Sequence, residues 1–321
     1  MAQFFAYIKH KNGFADDSAL ELVAAAKKID PAASVTAIVT GSGPDLDKIA
    51  NEMAASYPEV WKIDNEALAY PNAEAVRKAL INNLPADCIF LAPHDTLGMD
   101  LAPGLAIKLD SSFVSDVADF EGIEGSDIKV IRQEFTGQVS THVKCDMSNG
   151  AVITVRPGVF QPDESKSAGG KVVDKEAGDV SAKRKYLETV VAEVGDVDIT
   201  KSDILVSVGR GIEDQDNLEI VHELAEAMGA DVSCSRPIVD AKWLEKSRQV
   251  GTSGLTVKPK VYLALGISGS FQHMGGVKGN PFIVAINKNP KAPIFQLADV
   301  GVEEDILEFI PELAEAINEA K

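Results

Sequence analysis

The sequence is poor in cysteine and in aromatic residues, and it contains no long apolar run. Only three of its 321 residues are cysteine, and Cys88, Cys145 and Cys234 have no Cys or His partner nearby in the sequence. This spacing does not fit a zinc site or an iron–sulfur cluster, so we predict no metal site. Because Cys88 and Cys145 lie in apolar strand-like runs, we expect buried thiols, as in a reducing compartment.

Positive charge is also scarce. Lys and Arg total 31 against 49 Asp and Glu, which gives a formal net charge of −18. Nucleic-acid binding needs a basic face, so we expect no nucleic-acid partner. No apolar run approaches the ~18 residues of a membrane span. The N-terminal residues form a strand-like run without a basic n-region, so we expect a cytoplasmic protein without membrane insertion.

Strand and helix patterns alternate in the first part of the chain. The periodicity predicts strands at 4–8, 35–40, 60–63 and 88–91, and helices at 20–29, from 45, at 73–84 and at 98–109. This βα repetition predicts a mainly parallel sheet with helices on both faces. After residue 111, β-rich runs at 114–120, 128–135, 139–145 and 151–155 predict antiparallel strands that add a β layer.

A polar segment separates this part from a second α/β pattern. Residues from about 161 to 198 are predicted to be a surface segment and linker. Beyond them the pattern predicts strands at 204–208, 231–234, 261–265 and 282–286, and helices at 217–228 and 303–319. The expected fold is therefore α/β with two domains: an N-terminal domain over 1–198 that includes the added β layer, and a C-terminal doubly wound nucleotide-binding domain over 199–321.

Small and polar residues cluster at the predicted strand ends of the second domain. Gly266, Ser268, Gly269 and Ser270 follow the strand that ends at Leu265, and the next segment has the pattern of a helix start. Such a turn offers backbone N–H groups to a phosphate. One cation, two hydroxyls and one imidazole lie nearby in the sequence: Arg236, Thr252, Ser253 and His273. This set predicts a large anionic cofactor at the carboxyl edge of the sheet.

Other motifs favour structural roles. His94-Asp95 follows a predicted strand, and Asp95 or Thr96 is interpreted as a helix N-cap rather than as part of a catalytic pair. Gly41-Ser42-Gly43 lacks the lysine and the spacing of a P-loop. Gly209-x-Gly211 lacks the third glycine of a dinucleotide fingerprint. No Gly-x-Ser-x-Gly nucleophile elbow follows a strand, so hydrolysis is disfavoured.

The motifs of the second half resemble those of the electron transfer flavoprotein α subunit family. They occur in the family's order at 235–241, 249–251, 266–273 and 285–288, with further matches at 208–212, 292–295 and 98–103. The resemblance covers almost the whole chain. It implies FAD held mainly by the second domain, and a β subunit that completes a heterodimer.

The resemblance also implies roles for individual residues. Arg236 is implied to lie beside the isoalloxazine ring, where a permanent charge raises the flavin potential and stabilises the negatively charged reduced form; the alternative is a surface ion pair. Ser253 is implied near flavin N5 and His273 near the pyrimidine carbonyl as a donor; the alternative for His273 is a satisfied core residue. Other positions matched to the ring, the ribityl chain, the pyrophosphate or the turn are Gln249, Gly251, Thr252, Gly266, Ile267, Ser268, Gly269, Ser270 and Gln272.

Two matched positions concern the AMP half of FAD, and two depart from the family. Asn287 and Asp305 match residues that contact the AMP half, although Asp305 also suits an ordinary helix-dipole role. Thr252 stands where members often carry Gln, and Ser253 stands where they carry Thr. The serine keeps the hydroxyl, whereas the missing glutamine removes a donor near the ring.

Several functions follow from this resemblance and from the residues themselves. The favoured hypothesis is an electron carrier rather than an enzyme, which takes electrons from acyl-CoA-type or other flavin dehydrogenases of fatty acid β-oxidation to a quinone reductase. The second is a subunit of an NADH-oxidising, bifurcating complex whose β subunit binds a further FAD. From other classes we keep an adenine-nucleotide-binding hydrolase-like protein and a CoA-binding or structural subunit. The polar connection predicts motion of the second domain.

Overall fold

A computed structural model describes residues 3–11, 13–135, 139–162, 169–189 and 197–320. The chain folds as two compact units, Met1–Glu188 and Thr189–Lys321. Parts of the predicted linker, at 163–168 and 190–196, lie outside the described residues. The predicted domain boundary between residues 198 and 199 therefore stays a prediction.

The first unit is built on one nine-stranded sheet. In chain order the strands of the unit are β1 (Phe4–Tyr7), β2 (His10–Lys11), β3 (Phe14–Ala15), β4 (Val35–Gly41), β5 (Glu59–Asp64), β6 (Ile89–Pro93), β7 (Ser112–Glu124), β8 (Asp127–Glu134), β9 (Val139–Asp146), β10 (Ala151–Val155) and β11 (Lys171–Lys175). Its helices are α1 (Ser18–Ile29), α2 (Pro44–Met53), α3 (Ala73–Asn83) and α4 (Thr96–Leu109). Strands β2 and β3 form a separate hairpin, and the other nine form the sheet in the order β11-β5-β4-β1-β6-β10-β7-β8-β9.

Both faces of this sheet are covered. Helices α1 and α2 pack on one face and α3 and α4 on the other, and each face has its own apolar core. The central strands β1, β6 and β10 are buried at every position, as expected for strands covered on both faces. The predicted α/β architecture of this unit is confirmed.

Two predictions for the first unit need correction. Strand β10 was predicted to be antiparallel, but it is parallel to both of its neighbours, β6 and β7. Its apolar sequence is buried on both faces, so it fits the middle of the sheet rather than its edge. Strands β7, β8 and β9 do pair antiparallel, and they extend the same sheet.

The second correction concerns the predicted linker, because part of it belongs to the first unit. Strand β11 pairs in parallel with β5 at the edge of the sheet. The next residues, 176–186, lie along α3 and are called the strap here. Glu74 Oε2 accepts a hydrogen bond from the backbone N of Lys183 at 2.9 Å, and Arg184 forms an ion pair with Asp100. The connection between the two units is therefore shorter than the predicted linker, because β11 and the strap belong to the first unit.

The second unit is built on a five-stranded, all-parallel sheet. Its strands are β12 (Ile204–Val208), β13 (Asp231–Cys234), β14 (Val261–Leu265), β15 (Phe282–Ile286) and β16 (Val300–Val302), and their order in the sheet is β13-β12-β14-β15-β16. Its helices are α5 (Leu218–Met228), α6 (Arg236–Asp240), α7 (Phe271–Met274) and α8 (Ile306–Glu319). The predicted doubly wound arrangement is confirmed.

The strand order creates a crevice in the second unit. Helices α5 and α8 pack on one face of the sheet, and the segments around Val250 and Ile294 pack on the other. The chain passes from β12 outward to β13 and then returns to the other side of β12 as β14. Ligands of open α/β sheets bind at such a reversal, beyond the carboxyl ends of the strands. Within the described ranges, no helix is long and apolar enough to cross a membrane.

Candidate functional site

Most of the predicted site residues lie just beyond the carboxyl ends of strands in the second unit. Arg236 comes shortly after β13, Gly266 directly after β14 and Asn287 directly after β15, and Asp305 follows β16. Because all these strands are parallel, their carboxyl ends meet at one edge. The fold therefore gathers residues that are far apart in the sequence.

Two glycine loops touch each other at the crevice. A Cβ atom at Gly209 would lie 2.4 Å from the carbonyl O of Gly266, and one at Gly266 would lie 2.8 Å from Gly211 Cα. Gly211 N donates to Gly266 O at 3.2 Å. The backbones thus approach more closely than side chains would allow. Gly209 and Gly211 were not predicted as site residues, because they lack the third glycine of a dinucleotide fingerprint. Their position directly after a buried strand was the usable signal.

The loop after Gly266 has free backbone donors. Gly269 has φ +80°, and a Cβ there would lie 2.4 Å from Ile294 N. Ile294 N donates to Ser268 O at 3.0 Å, which holds this loop in place. No hydrogen bond within the described part of the chain uses the backbone N–H of Ser268, Gly269 or Ser270. The predicted helix start is one turn only, α7, so an anion here would be held by loop amides rather than by a helix dipole.

A second loop carries most of the remaining predicted residues. Gln249 is buried, and its Nε2 donates to Ser253 Oγ at 3.0 Å. Gly251 has φ +141°, and a Cβ on it would lie 2.8 Å from Gln272 O. Thr252 N donates to the same carbonyl at 2.7 Å. The fold therefore brings these five predicted residues together, with Thr252, Ser253 and Gln272 exposed.

Arg236 is exposed at the edge of the sheet. It is the first residue of α6, and 68% of its side chain is accessible to solvent. Its Nε lies 3.3 Å from Asp240 Oδ2, one helical turn later. Ion pairs this exposed contribute little to stability, so the guanidinium can readily exchange Asp240 for a ligand. The structure thus contains the surface ion pair of the alternative interpretation, and the flavin role of Arg236 stays a prediction.

His273 lies mostly in the core. Only 6% of it is exposed, and its Nε2 is 2.7 Å from the Tyr262 hydroxyl. Burial lowers the pKa of His273 to about 4, against a smaller opposite effect of the Val250 backbone. Its Nδ1 is buried and has no hydrogen-bond partner of normal geometry among the described residues. Tyr262 therefore anchors the ring at Nε2, and the Val250 backbone is a second protein group close enough to affect its pKa.

Asn287 and Asp305 have structural contacts. Asn287 Nδ2 donates to the carbonyl O of Ile267 at 2.9 Å and so holds the glycine loop. Asp305 Oδ1 accepts from Leu307 N at 3.0 Å and caps α8, which begins at Ile306 rather than at the predicted 303. This is the local helix role that the sequence left open for Asp305. Contacts of both residues with the AMP half of FAD stay predictions.

In the first unit, the corresponding edge is closed by its own side chains. Lys9, just after β1, lies with its Nζ 2.7 Å from Asp95 Oδ2, just after β6. Asp95 Oδ1 also accepts from Gly98 N at 2.8 Å, so the predicted N-cap of α4 is confirmed. His94 contacts Thr154 Oγ1 at 2.9 Å. Lys9 thus pairs with Asp95, and His94 pairs with Thr154, so these side chains have partners within the first unit.

Comparison with known families decides the identity of the chain. The model of the electron transfer flavoprotein domain matches residues 5–180, and that of the electron transfer flavoprotein FAD-binding domain matches residues 198–278. The chain belongs to the electron transfer flavoprotein α subunit family. The predicted resemblance is thereby confirmed across both units.

Individual relatives of this family match nearly end to end. The chain is 33% identical to the electron transfer flavoprotein subunit alpha of Thermoanaerobacterium thermosaccharolyticum, over 98% of this chain and 97% of that one. It is 35% identical to the subunit alpha of Methylophilus methylotrophus, over 98% of each. It is also 30% identical to lactate dehydrogenase (NAD(+),ferredoxin) subunit LctC of Acetobacterium woodii, over 96% of this chain and 75% of that one.

The family assignment settles the cofactor and the general role. The cofactor is FAD, bound by the second unit. Members named electron transfer flavoprotein subunits are electron carriers rather than catalytic enzymes, so the hydrolase-like alternative is not supported. An α subunit of this family implies a β subunit as its partner. The glycine loops and the free amides fit a large anionic cofactor such as FAD.

Proposed function

We propose that this chain holds FAD at the carboxyl edge of its second unit and acts as the α subunit of a cytoplasmic electron carrier. Its electrons come from flavin dehydrogenases of the acyl-CoA dehydrogenase type in fatty acid β-oxidation, and they pass to a quinone reductase. The observation that carries this proposal is the pair of glycine loops at the crevice, because they leave backbone space and free donors beside Arg236 and His273.

FAD supplies the electron-transfer chemistry, and the chain supplies binding and electrostatics. The free amides of Ser268, Gly269 and Ser270 suit the negative charge of a pyrophosphate. A guanidinium is a cation, so Arg236 would favour negative charge on an adjacent ring. The predicted contact of Ser253 with flavin N5 requires its hydroxyl, which Gln249 orients in the structure.

The polar contacts at this edge suit a carrier. The Ser253 hydroxyl is paired with the Gln249 amide, which cannot act as a general base. His273 is paired with Tyr262 rather than with a serine or cysteine nucleophile. These groups can bind and orient a flavin, and they do not form a nucleophile–base pair with each other.

A second candidate is the α subunit of an NADH-oxidising, electron-bifurcating complex. The 30% identity to the Acetobacterium woodii lactate dehydrogenase (NAD(+),ferredoxin) subunit favours it. In that case the β subunit would bind a further FAD and react with NADH. The site in the second unit would be the same in both candidates, so the number of flavins and the electron donor distinguish them.

The test is a flavin count and a stepwise reduction of this chain co-expressed with its β subunit. One FAD per heterodimer, reduced by an acyl-CoA dehydrogenase but not by NADH, supports the carrier. Two FADs and reduction by NADH support the bifurcating complex. A heterodimer without flavin contradicts both.

A pair of variants tests the role of Arg236 in the same heterodimer. Arg236→Gln removes the exposed guanidinium and should lower the flavin reduction potential, because a negative ring charge loses its neighbour. Lys242→Gln removes an exposed positive charge just beyond α6 and serves as the control. Equal potentials in the two variants would contradict the placement of Arg236 beside the ring.

A further inference from the structure

An open groove of about 550 Å³ lies in the second unit, where α5, α6 and the segment 242–248 meet. The residues that line it include His222 on α5, Val239 on α6, and Trp243, Lys246 and Arg248 on the segment. We call this surface the basic groove. None of the residues predicted to bind FAD is among those that line it, so the FAD site does not account for it.

The apolar side of the basic groove is fixed to the core. Val239, Trp243 and Leu244 line the groove, are half-buried, and pack against the core that also contains residues of α5 and α8. The backbone N of Trp243 donates to the carbonyl O of Ile238 at 3.1 Å, which ties the segment to α6. Sites for small organic ligands have a similar lining and volumes of about 300–1,000 Å³.

Arg248 supplies a cation that is held in place. Its Nη1 donates to the carbonyl O of Val232, on the edge strand β13, at 2.8 Å. Within the described ranges, the guanidinium makes no other hydrogen bond and no ion pair. A planar guanidinium that is oriented by one bond and has further N–H donors suits two oxygen atoms of a phosphate group.

The positive charge of the basic groove is only weakly compensated. Lys246 is exposed, and no described carboxylate lies within ion-pair distance of it. Among the described lining residues, the one carboxylate is that of Glu245, which accepts a hydrogen bond from the Ser247 hydroxyl at 3.4 Å. Burial and, next, the charge of Arg248 lower the pKa of His222. A groove lined by charge of one sign attracts ligands of the opposite sign.

We propose that the basic groove binds an organic phosphate of nucleotide size, with phosphate oxygens on Arg248 and Lys246 and a flat apolar ring against Trp243. This site is separate from the FAD site and does not depend on the proposed function. The two cations match the charge of the phosphates, and an indole is a stacking surface for a base. A carboxylate-rich peptide would use the cations but not the apolar side, so the phosphate ligand is favoured.

The test uses the FAD-loaded heterodimer labelled with fluorotryptophan. This chain has two tryptophans, and the ¹⁹F NMR signal of Trp243 is assigned by its loss in Trp243→Phe. ATP is the probe, in magnesium-free buffer, and at millimolar concentration it should shift the Trp243 signal. Pyrophosphate should compete with ATP, because it carries the phosphate groups without the base. Trp61, in the first unit, should keep its signal.

Matched variants show whether the groove itself holds the phosphates. Arg248→Gln and Lys246→Gln should each weaken ATP binding about tenfold, as expected for the loss of a hydrogen bond between charged groups. Lys291→Gln removes an exposed lysine elsewhere in the second unit and should leave the affinity unchanged. If Arg248→Gln does not fold, Lys246→Gln gives the same test, because its side chain is exposed.

A Trp243 signal that ATP does not shift would overturn the proposal. Equal affinities of Lys246→Gln and Lys291→Gln would also overturn it. Tighter binding of a short polyglutamate peptide than of ATP would instead make the groove a surface for an acidic protein. The flavin absorbance of the same samples detects displacement of FAD, and a shift that occurs only with loss of flavin would assign ATP to the FAD site and overturn the proposal.

Discussion

The two units present the same kind of sheet edge with opposite contents. In the first unit, Lys9 and Asp95 form an ion pair across the reversal between β1 and β6, and Asp95 also caps α4. In the second unit, the reversal between β12 and β14 is lined by Gly209, Gly211 and Gly266, whose backbones touch. A reversal of strand order gives a crevice in both units. Among the described residues at these two reversals, the charged groups of the first unit pair with each other, whereas the backbone N–H groups of Ser268, Gly269 and Ser270 in the second unit have no partner.

This difference shows what turns a crevice into a binding site. Charged groups that bind each other satisfy their hydrogen bonds within the protein, so a ligand would first have to break those bonds. Glycine loops leave amides and space that the chain itself does not use. The four predictions below test this contrast between a closed edge and an open edge, beginning with the largest expected effect.

The largest effect is expected from Gly269→Ala in the second unit. Gly269 has φ +80°, and an added Cβ would lie 2.4 Å from Ile294 N, so the loop must move. We expect destabilisation of about 3 kcal/mol, from backbone strain plus overpacking, and loss of most bound FAD. The flavin content and melting temperature of the heterodimer measure this.

The matched control for Gly269→Ala is Gly229→Ala. Gly229 has a similar φ of +63°, but an added Cβ would meet nothing within 4 Å. It should cost only about 1 kcal/mol through backbone strain and leave the FAD content unchanged. Equal loss of FAD in both variants would show that the close contact between Gly269 and Ile294 is not what FAD binding depends on.

The second prediction concerns acid. The pKa of His273 is lowered by burial to about 4, whereas in the unfolded chain it is near 6.5. Between these values the unfolded state binds more protons, so stability falls as the pH falls through this window. At about 1.4 kcal/mol per pH unit, the loss is at most about 3 kcal/mol. His273→Gln should make the melting temperature of the flavin-free protein depend less on pH between these values.

The comparison for this acid effect is His94→Gln in the first unit. Burial also lowers the pKa of His94, but the nearby Asp116 opposes the shift. His94→Gln should therefore change the pH dependence of stability in the same direction as His273→Gln does, but by less. If His94→Gln reduced the pH dependence of the melting temperature more than His273→Gln does, the expected order of the two histidines would be wrong.

The third prediction tests the closed edge with two variants of Asp95. Asp95→Ala removes both the cap of α4 and the ion pair with Lys9, and it should cost about 1–2 kcal/mol. Asp95→Asn keeps an oxygen for Gly98 N and removes only the charge, so it should cost less than about 1 kcal/mol. Thermal unfolding measures both. Neither should change the FAD content; loss of flavin in either would break the comparison.

The smallest effect is expected in the strap. Asp100→Asn weakens the pair with Arg184, which is exposed, so the melting temperature should barely change. Trypsin cleavage after Lys183 and Arg184 should rise a few-fold, because the strap leaves α3 more often. Asp179→Asn, at an exposed ion pair with Lys78 of 3.7 Å, is the weaker control. Unchanged cleavage in both would show that the strap is held by its other contacts.

Much of the fold could be predicted because local patterns specify local structure. Strands β12, β13, β14 and β15 have their predicted bounds, since each is a short apolar run followed by glycine, serine or asparagine. The orientation of β10 could not be predicted, because it depends on which strands lie beside it. Strand β11 was missed because a polar, charged sequence at a sheet edge looks like a linker.

The sequence by itself determined that glycines, hydroxyls and a cation follow the strands of the second unit. It therefore determined the fold class and, through the resemblance, the cofactor FAD, while the residues assigned to FAD stay a prediction. Only the tertiary structure decided that Tyr262 and Ser207 anchor one nitrogen of His273, and that Lys9 meets Asp95. These contacts join residues that lie on, or follow, different strands. They depend on register and sheet order, which long-range packing sets and no local pattern encodes.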